Sequence, residues 1–509
     1  MPRLDAFGIA TLTGLTLVPV VAAAAEQPGV WTHHDEYVLG TRATFVVTAT
    51  EEAHALEAVS AARAEIERLD LVFNGRKPGS ELVALNSAKK KAVSSELLEV
   101  MQQAEDLRRQ SGEAYSGRMG EILKMWREAK AAPPDKAALS AAAEAARAPV
   151  HIDAETRTIV RPKGVRFDLD GFAKGYIVDR ALRAGLDAAP VKGLMVDIGG
   201  DMACAGVGPE QGAWTVGVPE PSLPFVNAPL VAEVRLKDQA IATSGKGPRD
   251  RIIDGERYSP TVSPLDGWAS EANMSATVVA KTAAQADALA TALLVMQPND
   301  GLALAEATPG VEARLTDHGG IVRATTGWRT IATEPQAHLI KVATTPGAPP
   351  PNTDPNRWLP DWAVEIIYNA PDRVAERSSD FRSPYMAMWI TDKDMNPVRT
   401  LVLVGRTVEW QKDNFIWWGM YKDKAPKLVQ LRSTATALSG QYPTYWPGYN
   451  DDWKFMKQGQ YILHIETSRE RGKHTHRTVP LTLGKDGFKV DVPKTAEGGG
   501  VQLTYGKRD

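Results

Sequence analysis

Asp287 and Thr291 stand four residues apart in Ala286-Asp-Ala-Leu-Ala-Thr-Ala-Leu-Leu294, a helix by composition, so both oxygens project from one face over one turn. A carboxylate with a hydroxyl suits a hard, oxygen-seeking ion such as Mg²⁺, with other positions left to carbonyls, waters or phosphates. The same spacing fits a helix N-cap Asp with a Thr bonded to its own backbone. A second candidate is Phe167-Asp-Leu-Asp-Gly-Phe-Ala-Lys-Gly-Tyr176, followed by Asp179. Gly171 and Gly175 bracket Lys174 there, and the stretch runs into a helical pattern over Ile177–Leu186. Glycines let backbone approach a phosphate, and a helix N-terminus offers free N–H groups to an anion. A plain strand-to-helix turn with a solvated lysine has the same letters, and the run is neither a Walker A nor a Rossmann fingerprint.

Two further segments bear polar groups on turns. Met195-Val-Asp-Ile-Gly-Gly-Asp-Met202 is an apolar strand ending in Gly-Gly-Asp, which suits a tight turn beneath a ligand or a turn with none. Ile241-Ala-Thr-Ser-Gly245 and Tyr258-Ser-Pro-Thr-Val-Ser-Pro-Leu-Asp-Gly267 supply small hydroxyls able to bond a polar ligand. Asp254-Gly255 between them reads as a hairpin turn.

The elements that must position these groups follow from periodicity. Glu52–Leu69 and Ser94–Gly112 are helical candidates, with apolar residues at three- and four-residue steps. Ala43–Ala49, Gly193–Ile198 and Ala276–Ala280 are strand candidates. The cluster Pro346-Gly-Ala-Pro-Pro-Pro-Pro351 disfavours helix and central strand and reads as a stiff linker. Eight of the 13 tryptophans follow it, among short β-type runs at Trp362–Tyr368, Met386–Thr391, Thr400–Val404, Phe415–Tyr421, Tyr461–Thr467 and Arg477–Leu483. Such spacing suggests a sandwich or barrel. The expected organisation is 1–25 signal peptide, 26–335 first unit, 336–355 linker and 356–509 β-rich unit. The leader has one arginine, an apolar run from about Ile9 to Val21 and a small-residue end before Glu26. That run is shorter than the ~20 residues of a comfortable membrane span, so cleavage and a soluble, periplasmic or otherwise extracytoplasmic protein are expected.

Composition bounds the rest. With 509 residues, 43% hydrophobic and 24% charged, the chain is globular rather than disordered. A net charge of −3 gives no basic field for nucleic acid. The single cysteine, Cys204, forbids an intrachain disulfide and a cysteine-cluster zinc site.

Taken together and in order, these segments resemble the ApbE family, the periplasmic FAD:protein FMN transferases. The resemblance runs from Leu39-Gly-Thr41 through Ser80-Glu-Leu82, Asn86 and Gly112–Trp126 to the four segments above. The region after the linker is similar to the DUF2271 domain, through Ser383-Pro-Tyr385 to Trp389, Gly440 to Trp453 and Gly459-Gln-Tyr461. The resemblance implies an α+β fold: a flavin transferase domain of antiparallel sheets with packed helices, then an all-β sandwich-like domain. It implies FAD as substrate, Mg²⁺ as cofactor, and transfer of FMN to a Ser or Thr of an acceptor protein with release of AMP. Gly171 (through its carbonyl), Asp287 and Thr291 would hold the ion. Asp168 and Lys174 would contact FAD, and Leu39, Arg76, Ala114, Tyr115, Ser116 and Thr261 fall at flavin-contact positions.

This chain departs from the family where members usually read Tyr-Ser-His-Ile-Ile-Asp-Pro. Here the run is Tyr258-Ser-Pro-Thr-Val-Ser-Pro264, so Pro260 replaces a histidine thought to help deprotonate the acceptor, and no catalytic base is assigned. A non-catalytic flavin-binding protein, or a hydrolase giving FMN and AMP, are the alternative readings. His474 and His476, two apart in an apparent strand, read as a solvated edge or as part of a metal site.

Overall fold

A computed structural model describes residues 28–507 except 223–229, 246–249, 255, 335–357, 360–361, 371–384, 405–409, 425–432, 435–439, 452–453, 470–472 and 496–497. The leader over 1–25 and the linker over 336–355 lie outside the described residues.

An eight-stranded sheet organises the first part. Its order is Gly29–Val38, Thr41–Ala49, Gly193–Ile198, Asp201–Gly206, Ala240–Gly245, Ser275–Ala280, Glu312–Thr316 and Val322–Ala324. All neighbours are antiparallel. The helices are α1 (Glu52–Phe73), α2 (Glu81–Ser87), α3 (Ser95–Gln110), α4 (Gly120–Glu128), α5 (Lys136–Ala146), α6 (Asp170–Ala188), α7 (Ala283–Val295), α8 (Pro298–Ala307) and α9 (Trp328–Ile331). Helices α1, α6 and α7 share one core with the sheet, including Phe45, Val59, Leu69, Ile177, Val196 and Leu293. Alternate strand residues such as Ala43, Phe45 and Val47 turn inward, as period-two alternation requires. Helix α7 is apolar nearly all round and almost wholly buried. A separate cluster of Met119, Ile122, Trp126, Leu139, Ile253, Val262 and Ala269 joins α4 and α5 to a hairpin. The hairpin pairs Arg251–Ile253 with Glu256–Tyr258, and its turn places Asp254 at φ +52°, as expected of an Asp-Gly connection.

Helix α6 begins earlier than its periodicity suggested. It starts at Asp170, with Gly171 bent out of helical geometry (φ −85°, ψ 17°), so Lys174 and Gly175 are helical rather than part of a loop before the helix.

The second part is two sheets, antiparallel except for one strand pair, facing one core. Five strands run in the order Ser433–Thr434, Pro397–Val404, Tyr385–Asp392, Gly459–Ser468 and Thr475–Leu483, the first pair being parallel. Four run Gly440–Trp446, Trp362–Ala370, Gly500–Lys507 and Phe488–Val492. Met388, Leu463 and Ile465 of one meet Ile366, Trp446 and Leu503 of the other, which is sandwich packing.

One expected strand is a helix. Phe415–Tyr421 forms α10; a seven-residue apolar run does not separate helix from strand by period alone. Tertiary partners decide it. The carboxylate of Glu466 accepts from the N–H groups of Ile416 (3.0 Å) and Trp417 (2.9 Å) at the first turn, where an anion is favoured. Trp417 and Tyr421, one turn apart, stack at 5.6 Å.

Candidate functional site

All the residues singled out above for ion or flavin contact line one cleft of about 440 Å³, although they are scattered from Leu39 to Thr291 in sequence. One wall is built by α6, α7 and the ends of the central strands Asp201–Gly206 and Ala240–Gly245. Thr282 is the N-cap of α7, so Asp287 lies in the helix interior and the N-cap alternative falls. Asp287 is 3% exposed. Its Oδ2 accepts from the Gly175 N–H at 3.2 Å, and Lys174 Nζ lies 3.9 Å from Oδ1. Lys174 also pairs with the carboxylate of Asp201. Asp201 follows the Gly199-Gly200 turn, where both glycines take positive φ (65° and 97°) and Gly200 donates to Asp197 at 2.8 Å. Thr291 Oγ1 stands 3.5 Å from Ser244 Oγ, and a Cβ on Gly171 would meet it at 3.2 Å.

The α6–α7 contact fixes these groups. A Cβ on Gly175 would fall 2.1 Å from the Ala283 carbonyl oxygen, so only glycine permits the approach. Asp179 accepts from the N–H groups of Ala283 (2.7 Å) and Ala284 (2.9 Å), capping α7 from α6. Burial pushes the Asp179 carboxyl up to about 6, against the pull of these two bonds.

The cleft floor carries Tyr115 and Asp168. The Asn86 side-chain amide donates to the Phe167 carbonyl at 2.9 Å and its oxygen accepts from the Phe167 N–H at 2.8 Å, which sets the entry to Asp168. Burial first, then the neighbouring Asp170, pushes the Asp168 carboxyl up to about 6, while Arg76 and Arg127 oppose the shift. Arg76 pairs with Asp170 at 2.7 Å. The Tyr115 hydroxyl is buried with no hydrogen-bond partner among the described residues. Burial, with help from Asp287 and Asp168, raises its pKa well above normal. A buried polar atom left unpaired is costly, so a ligand able to bond it fits this floor.

The other wall was not legible as a site in the sequence. Arg127 lies on α4 beside Trp126, and Arg251 opens the hairpin; both line the cleft with Pro260, Thr261 and Pro264. Arg251 Nη1 donates to the carbonyls of Ser259 and Pro260, each at 3.3 Å. Trp126 Nε1 donates to Gly267 at 2.8 Å, tying this loop to α4. Neither arginine belongs to a periodic or motif signal; their meeting depends on the hairpin folding onto α4.

The donor set suits a hard cation: a buried carboxylate and a hydroxyl one helical turn apart, beside a backbone bent at Gly171. Among the described residues no group of three or more His, Cys, Asp or Glu could hold a metal. An ion here therefore needs hydroxyl, carbonyl or phosphate oxygens as well.

His474 and His476 do not line this cleft; both are half-buried at the edge strand of the five-stranded sheet, and among the described residues they belong to no group that could hold a metal. His474 Nε2 is 2.7 Å from Glu466, and His476 Nε2 is 3.1 Å from Nδ1 of buried His464. Trp389 stacks on His464 at 4.7 Å and on His476 at 5.6 Å.

Comparison with known proteins gives a consistent picture. Residues 39–315, more than half of the chain, match the ApbE family, and residues 374–499 match DUF2271, described as a predicted periplasmic protein. A relative from Treponema pallidum (strain Nichols), named FAD:protein FMN transferase, is 29% identical over 283 residues, covering 52% of this chain and 77% of that protein. One of the same name from Vibrio cholerae serotype O1 is 29% identical over 301 residues, covering 57% and 88%. The crystal structure of the ApbE protein from Thermotoga maritima superimposes with a TM-score of 0.54 at 24% identity, covering 60% of this chain and 100% of that one. The flavin transferase ApbE from Vibrio cholerae gives 0.52 at 24%, with the same coverages.

Proposed function

The chain belongs to the ApbE family, and on that premise we propose that it transfers FMN from FAD to a Ser or Thr hydroxyl of an acceptor protein, releasing AMP. The observation that supports this reading best is the convergence of Leu39, Arg76, Ala114, Tyr115, Ser116, Asp168, Gly171, Lys174, Thr261, Asp287 and Thr291 on one cleft. The relatives' names give FAD, FMN and a protein acceptor.

In the reaction the acceptor oxygen forms a bond to the FMN phosphorus, the bond from that phosphorus to the AMP oxygen breaks, and the hydroxyl proton leaves. Asp287, Thr291 and the Gly171 carbonyl would hold Mg²⁺. When bound, the ion offsets charge on the diphosphate and on the departing AMP. Lys174, steered by Asp201, presents an ammonium to the same phosphates. Tyr115 and Asp168 hold the flavin end, with Arg76, Leu39, Ala114, Ser116 and Thr261 around it. Pro260 accepts no proton and donates no N–H, so the acceptor proton leaves by another group. Loss of a general base costs about 10²–10⁴-fold, which slows transfer without abolishing it.

The two units are residues 26–335 and 356–509, joined by 336–355. The leader pattern before Glu26 and the description of DUF2271 support action outside the cytoplasm. No described helix is long and apolar enough to cross a membrane.

The test is incubation of the purified protein with FAD, Mg²⁺ and a flavin-acceptor domain. Covalent flavin fluorescence on the acceptor is the expected result. Free FMN and AMP without labelling would replace transfer by hydrolysis; bound, unchanged FAD would leave only a flavin-binding protein.

A further inference from the structure

The loop over 114–119 faces two ways. Ala114, Tyr115, Ser116 and Met119 line the cleft, whereas Arg118 among them does not. Its side chain runs into the protein and is 4% exposed. There it makes a bidentate pair with Glu105 of α3, Nε to Oε1 at 2.7 Å and Nη2 to Oε2 at 2.6 Å. Its Nη1 donates to the carbonyls of Ala148 (2.8 Å) and Ala146 (3.4 Å) at the end of α5, where a cation is favoured. Burial works to raise the Glu105 carboxyl, but Arg118 and then Arg108 outweigh it and hold it below its ordinary value. The same loop is bonded to the other part of the cleft floor. The Gly117 carbonyl accepts from the Asp168 N–H, and the Gly120 N–H donates to the Arg166 carbonyl, each at 2.9 Å. A Cβ on Gly117 would fall 2.9 Å from Leu169, so the two segments lie in direct contact. Ser111 Oγ accepts from the Tyr115 N–H at 3.1 Å, closing the loop back onto the end of α3. Tyr115 and Asp168 thus hang from one frame, and its charged anchor is Arg118.

We propose that Arg118 is a positioning residue for the flavin half of FAD. Gripped by Glu105 and by the end of α5, it holds the 114–117 loop and, through Gly117, sets Asp168, so the floor is formed before the ligand arrives. Contacts that are already in place cost less ordering on binding than mobile ones. This inference rests on the transfer reading above, which puts the flavin on this floor. A pair that serves stability alone is the competing account. Removing one partner of a buried pair destabilises strongly, whereas replacing both by apolar groups of similar volume is often neutral. That difference separates the two accounts.

The experiment titrates the full chain, with Mg²⁺ present, against FMN and AMP separately, by flavin fluorescence and by calorimetry. AMP carries a phosphate but no flavin, so it reports on Lys174 and the ion ligands of α6 and α7. Arg118→Met should weaken FMN binding about 10-fold or more and AMP binding by less than about 2-fold, as separate sites do. The double variant Glu105→Leu/Arg118→Met, which lacks both charges, should regain the wild-type thermal midpoint but not the FMN affinity. Arg118→Lys keeps the charge without the planar fork and should fall between. FMN affinity that returns with the thermal midpoint in the double variant overturns the inference. So does equal weakening of FMN and AMP, or unaltered FMN binding by a folded Arg118→Met chain. A wild-type chain that binds neither FMN nor FAD sinks the transfer reading and this inference with it, a failure seen before any variant is made.

Discussion

Buried carboxylates serve opposite ends in the two halves of this molecule. Asp287 and Asp201 are nearly inaccessible, yet both line a cleft and share one ammonium, that of Lys174. Glu466 is buried just as deeply, at 0%, but its oxygens go to two helix N–H groups and to His474. The first arrangement keeps charge beside open space, where it can act on a ligand. The second uses charge to hold α10 and the edge strand together. What separates a site from a staple here is the cavity alongside, since the charged group is a carboxylate in both.

The contrast breaks most severely at Asp287. Asp287→Ala should cut Mg²⁺-dependent turnover of FAD by about 100-fold or more, measured as AMP release; unaltered turnover would remove the ion assignment. Glu466→Ala should do the reverse, lowering stability by about 2–4 kcal/mol through lost capping and two stranded donors, with FAD affinity intact. Denaturant titration alongside flavin fluorescence checks both halves of that statement, and a loss of FAD binding without a loss of stability would erase the distinction. The smallest effect concerns Asp168. Its carboxyl is raised to about 6 in the folded chain, so between about pH 4 and 6 the folded state holds a proton that the unfolded state has released, and stability falls as pH rises through that window. Asp168→Asn should therefore raise the thermal midpoint at pH 7, by the equivalent of about 1–3 kcal/mol, with no gain below about pH 4. A gain of equal size at every pH would show that ionisation is not its cause.

Much of the cleft was readable because its signals are short-range. Four-residue spacing put Asp287 and Thr291 on one helical face, and Asp254-Gly255 fixed a hairpin. Glycine at 171 and 175 marked where backbone had to bend or come close. Reading α6 from Ile177 onward failed because its first turns hold Gly171 and Gly175, poor helix formers that packing against α7 retains. The run Phe415–Tyr421 failed differently: aromatic residues favour strands on average, and its helical state depends on Glu466, 50 residues away.

The sequence by itself carried, through its resemblance to the ApbE family, the fold class and the candidate ion and flavin residues; turn chemistry and periodicity, which act within a few bonds, placed only the Asp287–Thr291 helix face and the Asp254-Gly255 hairpin. Only the tertiary structure decided which distant groups share a boundary: Lys174 with Asp201, Arg127 with Arg251, His464 with His476. Those meetings depend on the order of strands in a sheet and on which hairpin lies across which helix. Such long-range closures are driven by burial of apolar area, which is non-directional and leaves no local mark on the charged residues it brings together.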